Sequence, residues 1–433
     1  MLIFGAVELS QPSLNELPSD LLGAARQVAE SLSQRGHRSW IVGGAVRDLC
    51  MGRTPADVDL TTDATPDEVE ACFPMTVPLG RRFGTVLVKV GGLGIEVTTL
   101  RAEAGYGDAR RPDEVAFGTS VLEDAERRDF TCNAMYLDPL TGEFLDPARG
   151  LVDLSAGRLV AVGDPLLRFK EDGLRIFRMA RFAATLGLEP SDETAIGASA
   201  AIDSIRGVSG ERVMAELERG LSSGRGEVMI DHLCRLGVHR RLFPSASPQA
   251  SEACLAVCRE LERPLDLLLG LIIFVDPDPL SSRGEGRGNR SAEALDALGL
   301  LRPSRAIKAD FTAVWRLAGS LEMAAGELPL RGDLLLWMRE PSWGVACELA
   351  IASLRASSKS ADSVSEWRDE QASLSPSELF PEPWIGPEQL NEVGLAKGPQ
   401  WSLAMAEGLR MQLGGELESA EDAMRWLRSR VEP

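Results

Sequence analysis

The stretch IVGGAVRDLCMGRTPADVDL, residues 41–60, decides the fold of the first part of the chain. Its apolar start is typical of a short strand, and the residues after the two glycines have the pattern of a short helix. Two glycines at such a turn let backbone N–H groups approach a phosphate, and the start of a helix favours negative charge. Arg47, one turn into the helix, can reach the same anion. We therefore interpret Gly43, Gly44 and Arg47 as a phosphate-binding element.

An Asp-Val-Asp sequence follows thirteen residues after Gly44. A strand predicted over Asp57–Thr62 places Asp57 and Asp59 on one face, because strand side chains alternate. Two adjacent carboxylates can bind hard divalent cations such as Mg²⁺ together with substrate phosphates, and Glu96 on a neighbouring predicted strand can add a third. Each motif alone is also compatible with a solvated strand face or a plain turn. Their combination favours two-metal nucleotidyl transfer, in which one metal activates a 3′-hydroxyl and the other steadies a triphosphate.

A second polar run, ERRDFTCNAMYLD, occupies residues 126–138. In this run Arg128 can hold a triphosphate or a base, and Asp129 and Asn133 can contact a ribose hydroxyl. The alternative is a surface ion-pair cluster, in which the two arginines pair with the flanking acidic residues. Residues 102–117, rich in Gly, Pro and alternating charges, predict a mobile loop near the active site.

The third run, PLLRFKEDGLRIFRMARFAATLG at 165–187, predicts one helix over Leu167–Leu186. Its residues Asp172, Arg175, Arg178 and Arg181 recur every third position, close to one helix face. A carboxylate that accepts and a guanidinium that donates match the pairing edges of cytosine and adenine, whereas guanine and uracil leave both protein groups unpaired. The alternative is an Asp–Arg pair within the helix, worth about 0.3–0.5 kcal/mol.

Together these motifs resemble the class II tRNA nucleotidyltransferase and bacterial poly(A) polymerase family, which includes the CCA-adding enzymes. LDPARGLVDL at 145–154 and SGERVMAELERGL at 209–221 add to the likeness, which extends over about residues 38–245. The segment 384–427 is similar to the C-terminal part of many tRNA-processing members. The resemblance implies that Asp57 and Asp59 bind metal. It also implies that NTP is bound by Gly44, Arg47, Arg128, Asp172, Arg175, Arg178 and Arg181.

The domain organisation follows from the change in pattern along the chain. Residues 1–150 predict a mixed α/β nucleotidyltransferase head with a small mixed sheet, and the rest is predicted to be helical, which makes the fold class α+β. We divide the helical part into a neck at 151–245, which carries the nucleotide-selecting helix, a body at 246–375 and a tRNA-binding tail at 376–433. The polar stretches 276–291 and 357–387 are predicted to be loops or linkers. The resemblance implies that tRNA lies along the helices, with its 3′ end between head and neck.

The charge balance limits the kind of nucleic-acid contact. The chain has 65 acidic and 46 basic residues and a formal net charge of −19, which argues against a generic DNA-binding or membrane-surface protein. Residues 151–250 are neutral, with 13 charges of each sign, and residues 167–182 carry five basic and two acidic side chains. Of the basic residues 41 are Arg, which suits phosphate and base recognition but also follows from a GC-rich genome. We therefore expect weak, salt-sensitive tRNA binding in a confined groove.

Cysteine usage predicts a reducing compartment. The seven cysteines form no C-x-x-C framework, and Cys254 and Cys258, four residues apart on a predicted helix, are interpreted as core packing. No stretch has the roughly 18 apolar residues of a membrane span, and the start of the sequence lacks a basic signal-peptide region. These features predict a cytoplasmic protein without a membrane partner.

The product is predicted from the departures within the family. His37, His232 and His239 are the only histidines and none precedes an Asp, so a His-Asp hydrolase module is not expected. The loop YGDARRPDEV counts against CC addition, whereas LGRRFG at 79–84 partly resembles an element of poly(A) polymerases. CCA addition from CTP and ATP is the leading prediction. A addition, poly(A) synthesis and, more remotely, a non-catalytic RNA-binding module remain as alternatives.

Overall fold

The computed structural model describes residues 9–80, 84–101, 120–243, 250–275, 287–326 and 328–431. The chain divides into two compact units, Met1–Val208 and Ser209–Pro433. Three features named above lie wholly or partly outside the described residues. They are the loop predicted at 102–117, residues 81–83 of the LGRRFG motif, and residues 276–286 of the predicted 276–291 loop. Among the described helices, none combines the length and the apolar character that a membrane span needs.

The first unit is built on a seven-stranded mixed sheet, as predicted for the head. Its strands are β1 Ser39–Val42, β2 Asp59–Thr62, β3 Thr76–Gly80, β4 Thr85–Val90, β5 Leu93–Thr99, β6 Tyr136–Leu137 and β7 Phe144–Leu145. Their order is β3-β4-β5-β2-β1-β6-β7, and only the β2–β5 pair is parallel. The pairing of β2 with β5 brings residues that are distant in sequence side by side, with Asp59 at the start of β2 next to Glu96 in the middle of β5.

Three details of the sheet differ from the sequence prediction. Strand β2 begins at Asp59, so Asp57 lies in the preceding loop. Strand β3 was not predicted, because Pro78 interrupts it and it packs at the edge of the sheet, where Val77 and Leu79 are exposed. The strand that the sequence predicts over Asn133–Leu137 is shorter, because Asn133 ends a 3-10 turn, Thr131–Asn133, in which its amide donates to the carbonyl of Phe130.

Helices surround this sheet and continue beyond it in the same unit. They are α1 Ser19–Ser33, α2 Gly44–Cys50, α3 Pro66–Cys72, α4 Val121–Glu126, α5 Gly150–Ser155, α6 Pro165–Glu171, α7 Leu174–Leu186 and α8 Asp192–Ala200, with 3-10 turns at Leu14–Glu16 and Ile202–Gly207. Helix α1 packs on β1, β4 and β5 through its buried residues Ala25, Val28 and Leu32. The region after residue 150 is not entirely helical, because β8 Arg158–Leu159 pairs in parallel with β9 Glu189–Pro190.

The helix predicted over Leu167–Leu186 is broken at Asp172-Gly173, which corrects the prediction. Asp172 has an extended backbone, with φ −145° and ψ 104°, and its Oδ1 accepts a hydrogen bond of 3.1 Å from the amide of Leu174. Gly173 is buried so closely that a Cβ would lie 2.5 Å from the carbonyl carbon of Ser204. Asp172 therefore stands before α7, while Arg175, Arg178 and Arg181 lie on it.

The second unit is helical, as predicted. It contains α9 Gly210–Gly220, α10 Gly226–Arg235, α11 Val238–Leu242, α12 Ala250–Glu260, α13 Leu267–Val275, α14 Arg287–Leu300, α15 Arg305–Ala324, α16 Arg331–Met338, α17 Trp343–Ala356, α18 Asp362–Ser373, α19 Pro376–Leu379, α20 Pro387–Glu392, α21 Pro399–Gly414 and α22 Ala420–Ser429. The stretch 357–387, predicted as a loop, contains α18 and α19, since Trp367 and Leu379 are buried against neighbouring helices. The predicted α+β fold is thus confirmed, and the finer division into neck, body and tail stays a prediction.

Candidate active site

The glycine pair that ends β1 lies beside two arginines. Gly43 has φ +72° and ψ −125°, a backbone conformation that side chains with a Cβ rarely adopt. A Cβ at Gly43 would lie 3.8 Å from Arg128 Nη1, and one at Gly44 would lie 3.6 Å from Arg47 Nη2. The turn therefore places the backbone next to two guanidinium groups, which is the arrangement that a polyphosphate chain requires.

Three carboxylates lie where the start of β2 meets the middle of β5. Asp59 is the first residue of β2 and is paired in register with Glu96 on β5, while Asp57 precedes the strand by two positions. Asp57 and Asp59 are exposed, whereas Val58 between them is 2% exposed. The alternation predicted from the sequence therefore persists although Asp57 lies outside the strand.

The electrostatics of this cluster favour a bound cation. The pKa of Asp59 is raised to about 6 by partial loss of water around its carboxyl group, although the residue as a whole is exposed, and then by the charges of Glu96 and Asp57. The nearby Arg128 offsets this only in part. Among the described residues, none makes a hydrogen bond or ion pair with these three carboxylates. Repelling, solvent-accessible oxygen donors without a partner fit a hard divalent cation such as Mg²⁺.

A buried hydrogen-bonded chain connects α2 with α7. Arg47 Nη1 donates to Asn133 Oδ1 at 2.8 Å, and Asn133 Nδ2 donates to Asp129 Oδ1 at 3.1 Å. The other Asp129 oxygen accepts from Arg178 Nε at 2.7 Å. Arg47, Asp129 and Asn133 are each less than 10% exposed. Four residues predicted to bind nucleotide from three separate motifs therefore form one continuous network.

Asp129 is held in its ionised form. Burial alone would raise its pKa, but the ion pair with Arg178, the hydrogen bond from Asn133 and the one from the amide of Phe130 outweigh burial and lower the pKa to about 2. The carboxylate is consequently charged at all pH values near neutrality and fixes the direction of Arg178.

Arg128 is positioned by two residues that the sequence analysis did not single out. Asp124, which is fully buried, accepts from Arg128 Nε at 3.0 Å and from the Tyr136 hydroxyl at 2.8 Å, and it also pairs with Arg127. Tyr136 OH lies 3.0 Å from Arg128 Nε. The two arginines thus form a buried ion-pair cluster with Asp124, which is not the surface cluster with Glu126 and Asp129 that the sequence left as an alternative. The i, i+4 spacing of Asp124 and Arg128 in the sequence was the available signal.

The structure does not join Asp172 and Arg175 as an intrahelical pair. Arg175 Nη1 donates to Glu171 Oε2 at 2.6 Å and to the carbonyl of Arg168 at 2.7 Å. Its Nη2 donates to the carbonyl of Arg127 at 3.0 Å. These bonds use three of the five N–H donors of a guanidinium and attach α7 to the end of α4.

One aromatic ring gathers arginines from two of the motifs. The guanidinium carbons of Arg181, Arg178 and Arg47 lie 4.0, 5.3 and 5.4 Å from the centroid of the Phe182 ring. Phe182 is 4% exposed and packs edge-on against Phe130. Cation–π contacts of this kind hold positive groups together that would otherwise repel one another. Phe182 was not predicted as a site residue, because an apolar side chain in a helix pattern indicates only a core position.

Comparison with known families places this site in context. Residues 39–160 match the poly A polymerase head domain, and residues 187–249 match the probable RNA and SrmB-binding site of polymerase A. The CCA-adding enzyme of Bacillus pumilus is 46% identical over 198 residues, which are 46% of this chain and 49% of that protein. The CCA-adding enzyme of Lactococcus lactis is 41% identical over 209 residues, 48% of this chain and 52% of that protein. The match thus spans about half the length of these curated relatives.

Solved structures extend the likeness over nearly the whole chain. The CCA-adding enzyme of Bacillus stearothermophilus in complex with CTP has a TM-score of 0.65 and 25% identity, covering 95% of this chain and 98% of its own. The CCA-adding enzyme of Thermotoga maritima complexed with tRNA has a TM-score of 0.67 and covers 97% of both chains; at 18% identity it shows the fold alone. The head-domain match, the site geometry and these relatives agree: the chain is similar to poly A polymerase head domains over residues 39–160 and to CCA-adding enzymes over about half of its length.

Proposed function

We propose that this protein adds CMP, CMP and AMP in turn to the 3′ end of tRNA from CTP and ATP, without a template strand. The observation that carries the proposal is the carboxylate cluster of Asp57, Asp59 and Glu96 beside the Gly43-Gly44 turn and its two arginines. The relatives named CCA-adding enzymes support the choice of product. A cytoplasmic location, where the protein would encounter tRNA, is part of the same proposal.

The carboxylates are the proposed metal ligands. Asp57 and Asp59 would hold Mg²⁺, and Glu96, in register with Asp59, would complete the negative pocket. Bound Mg²⁺ supplies Lewis-acid activation of the attacking 3′-hydroxyl and neutralises charge on the triphosphate. Arg47 and Arg128 flank the glycine turn and would bind the phosphate oxygens that face away from the metal.

The chain from Arg47 to Arg178 is proposed to orient the sugar and the triphosphate together. Asn133 and Asp129 lie between the two arginines, so a ribose hydroxyl that met either of them would be held at a fixed distance from the phosphate site. Because the residues of this network are buried and hydrogen-bonded to one another, their side chains are already ordered before the substrate binds. Little conformational entropy is then lost when the substrate is positioned. The same arrangement would serve CTP and ATP, whose sugars and phosphates are identical.

Base choice is proposed for Asp172, Arg175, Arg178 and Arg181. Asp172 offers an acceptor in the break before α7, and Arg175, anchored through three donors, keeps two further N–H groups for a base. An acceptor and a donor side by side match cytosine and adenine and leave guanine and uracil unpaired, at a cost of several kcal/mol. The hydrogen bond from Arg175 to the carbonyl of Arg127 connects this proposed base-recognition site to the predicted head.

Product analysis tests the proposal directly. Purified protein with Mg²⁺ is given tRNAs that end in the discriminator base, in C or in CC, together with labelled CTP and ATP. We expect each tRNA to be completed to CCA and extension to stop after one A. Incorporation only onto the tRNA ending in CC indicates an A-adding enzyme, and a long A tail on unrelated RNA indicates a poly(A) polymerase. Absence of any Mg²⁺-dependent incorporation, with tRNA still bound, supports a non-catalytic RNA-binding module.

The helical part is proposed to bind the tRNA. The match of residues 187–249 to an RNA-binding family supports a role for the predicted neck, and the predicted body and tail would contact the rest of the tRNA. Titration of tRNA against the intact chain at several salt concentrations tests this. Affinity that falls steeply with salt indicates phosphate contacts by arginines.

A further inference from the structure

Two cysteines and a histidine meet in the interior of the second unit, where no part of the proposed transfer reaction takes place. Cys234 lies near the end of α10, His239 on α11 and Cys254 on α12. Their exposed fractions are 4%, 0% and 0%. The sequence analysis assigned Cys254 and Cys258 to core packing from their spacing; in the tertiary structure Cys254 contacts Cys234 from another helix as well as Cys258.

The distances agree with those of a metal site. The Cys234 sulfur lies 3.7 Å from His239 Nδ1, and the two sulfurs and one ring nitrogen of His239 all lie within 4.8 Å of one another. Around a tetrahedral Zn²⁺ with ordinary bond lengths, a sulfur and a nitrogen ligand are about 3.6 Å apart and two sulfur ligands about 3.8 Å apart. The three donor atoms therefore need to move by an ångström or less to share one ion.

The local fold presents the imidazole to the sulfurs. Gly237, with φ +71°, ends α10 in a left-handed turn, and its amide donates to the carbonyl of Cys234 at 2.9 Å. This turn returns the chain so that His239, five residues after Cys234, faces it. The ring of His239 is fixed against Phe274, with centroids 4.6 Å apart, and against Phe243 at 6.4 Å.

The polar surroundings of His239 lie on one side of its ring. Nδ1 faces Cys234 and the Ser251 hydroxyl, which is 3.3 Å away, whereas Nε2 is buried without a partner among the described residues. Ser251 precedes Cys254 by almost one helical turn and can fill a fourth position, as a water molecule can. The thiolate is the form of cysteine that binds metals, so binding of the cation would release the thiol protons.

We propose that Cys234, His239 and Cys254 bind one thiophilic divalent cation such as Zn²⁺. The bound cation would link α10, α11 and α12. Two sulfurs and a nitrogen are ligands that Zn²⁺ prefers and Mg²⁺ does not. Mg²⁺ prefers oxygen ligands, such as the carboxylates of the candidate active site. The role is structural, because the ligands are buried and no substrate can reach the ion. Binding to the folded state alone would stabilise the second unit.

Cobalt substitution tests the site on the intact chain. The reduced, metal-free protein is titrated with Co²⁺ in excess Mg²⁺, and absorption from thiolate-to-cobalt charge transfer is followed in the near ultraviolet. Only sulfur ligands produce this band, so cobalt at Asp57, Asp59 and Glu96 does not contribute. We expect saturation at one ion per chain, loss of the band on addition of Zn²⁺, and an undiminished band in Cys347→Ser, the matched buried cysteine. A protein without the band at any ratio would overturn the proposal.

Variants identify the ligands, and a second measurement guards against misfolding. Cys234→Ser, Cys254→Ser and His239→Gln are each expected to abolish the one-to-one band, and an unchanged band in any of them overturns the assignment of that ligand set. If these variants do not fold, alkylation of the unaltered protein decides. Zn²⁺ should slow the reaction of Cys234 and Cys254 with N-ethylmaleimide at least tenfold and leave Cys72 unaffected. Equal rates with and without Zn²⁺ contradict the site, whatever the outcome of the tRNA assay.

Discussion

Replacement of Asp129 by Asn tests whether the buried ion pair organises the candidate active site. Asp129→Asn keeps the shape of the side chain and removes the charge that Arg178 contacts at 2.6 Å. The pKa of Asp129 falls from the model-peptide value of 3.8 to about 2, a difference of roughly two pKa units. Each unit corresponds to about 1.4 kcal/mol, so the charge should contribute roughly 2–3 kcal/mol to the free energy of unfolding.

The pH dependence has a definite sign. Because folding lowers the pKa of Asp129, this stabilisation is complete above pH 4 and is lost as the pH falls towards 2. The difference between the native protein and Asp129→Asn should therefore be the same at pH 7 and at pH 5 and should shrink only below pH 4. Hydrogen exchange in increasing urea, followed on peptides from α7, reports the unfolding of this unit by itself.

A matched exposed pair provides the control. Asp203 and Arg206 are 3.8 Å apart in the same unit, with side chains 68% and 64% exposed. Asp203→Asn should change the free energy of unfolding by less than about 0.5 kcal/mol, because exposed pairs contribute little. A double-mutant cycle of Asp129→Asn with Arg178→Met should give a coupling energy of about 2 kcal/mol. If Asp129→Asn were no more destabilising than Asp203→Asn, the buried charge would not hold the network and the reasoning would be refuted.

Three further outcomes follow from the site. Asp57→Asn or Asp59→Asn should lower the rate of CMP incorporation on the order of a thousandfold, because metal ions contribute several kcal/mol to such transfers. Binding of tRNA, measured by filter retention, should persist in both variants. Loss of folding would show that these carboxylates are structural. The pKa of Asp59, about 6, predicts that the Mg²⁺ concentration needed for half-maximal rate rises up to about tenfold per pH unit below 6, since the proton competes with the cation, and a constant requirement from pH 8 to pH 5 would contradict this. Tyr136→Phe should lower the free energy of unfolding by about 1–2 kcal/mol in urea titrations, because it removes the hydroxyl that binds Asp124 at 2.8 Å, and an unchanged value would exclude a positioning role for that bond.

Much of the architecture could be predicted because its signals are local. The strand Ser39–Val42, the glycine turn and the helix Gly44–Cys50 follow from a few adjacent residues, and so do α9 and α10 in the second unit. Their hydrogen bonds join neighbours in sequence, and their apolar periodicity reflects one buried face. The start of β2 was placed two residues early, because alternating exposure also continues into the extended loop before it.

The break between α6 and α7 could not be predicted from periodicity. The i, i+7, i+8 spacing of Phe169, Ile176 and Phe177 is compatible with one helix that continues across Asp172-Gly173, and a glycine inside a helix pattern is tolerated at a cost near 1 kcal/mol. Only the close approach of Ser204 to Gly173, from a segment thirty residues later, shows why the chain leaves the helix there. The position of Asp172 outside α7 is therefore a consequence of tertiary packing.

By itself the sequence determined the chemical inventory: the glycine turn with Arg47, the carboxylates of Asp57 and Asp59, the arginines of α7 and the alternation of strands and helices. Tertiary structure alone decided which of these groups meet. The parallel pairing of β2 with β5 brings Glu96 beside Asp59, and the packing of α7 brings Arg178 to Asp129 across 49 positions. Backbone preferences act over a few residues, whereas pairing over tens of residues depends on which surfaces are buried together, and a local pattern does not contain that information.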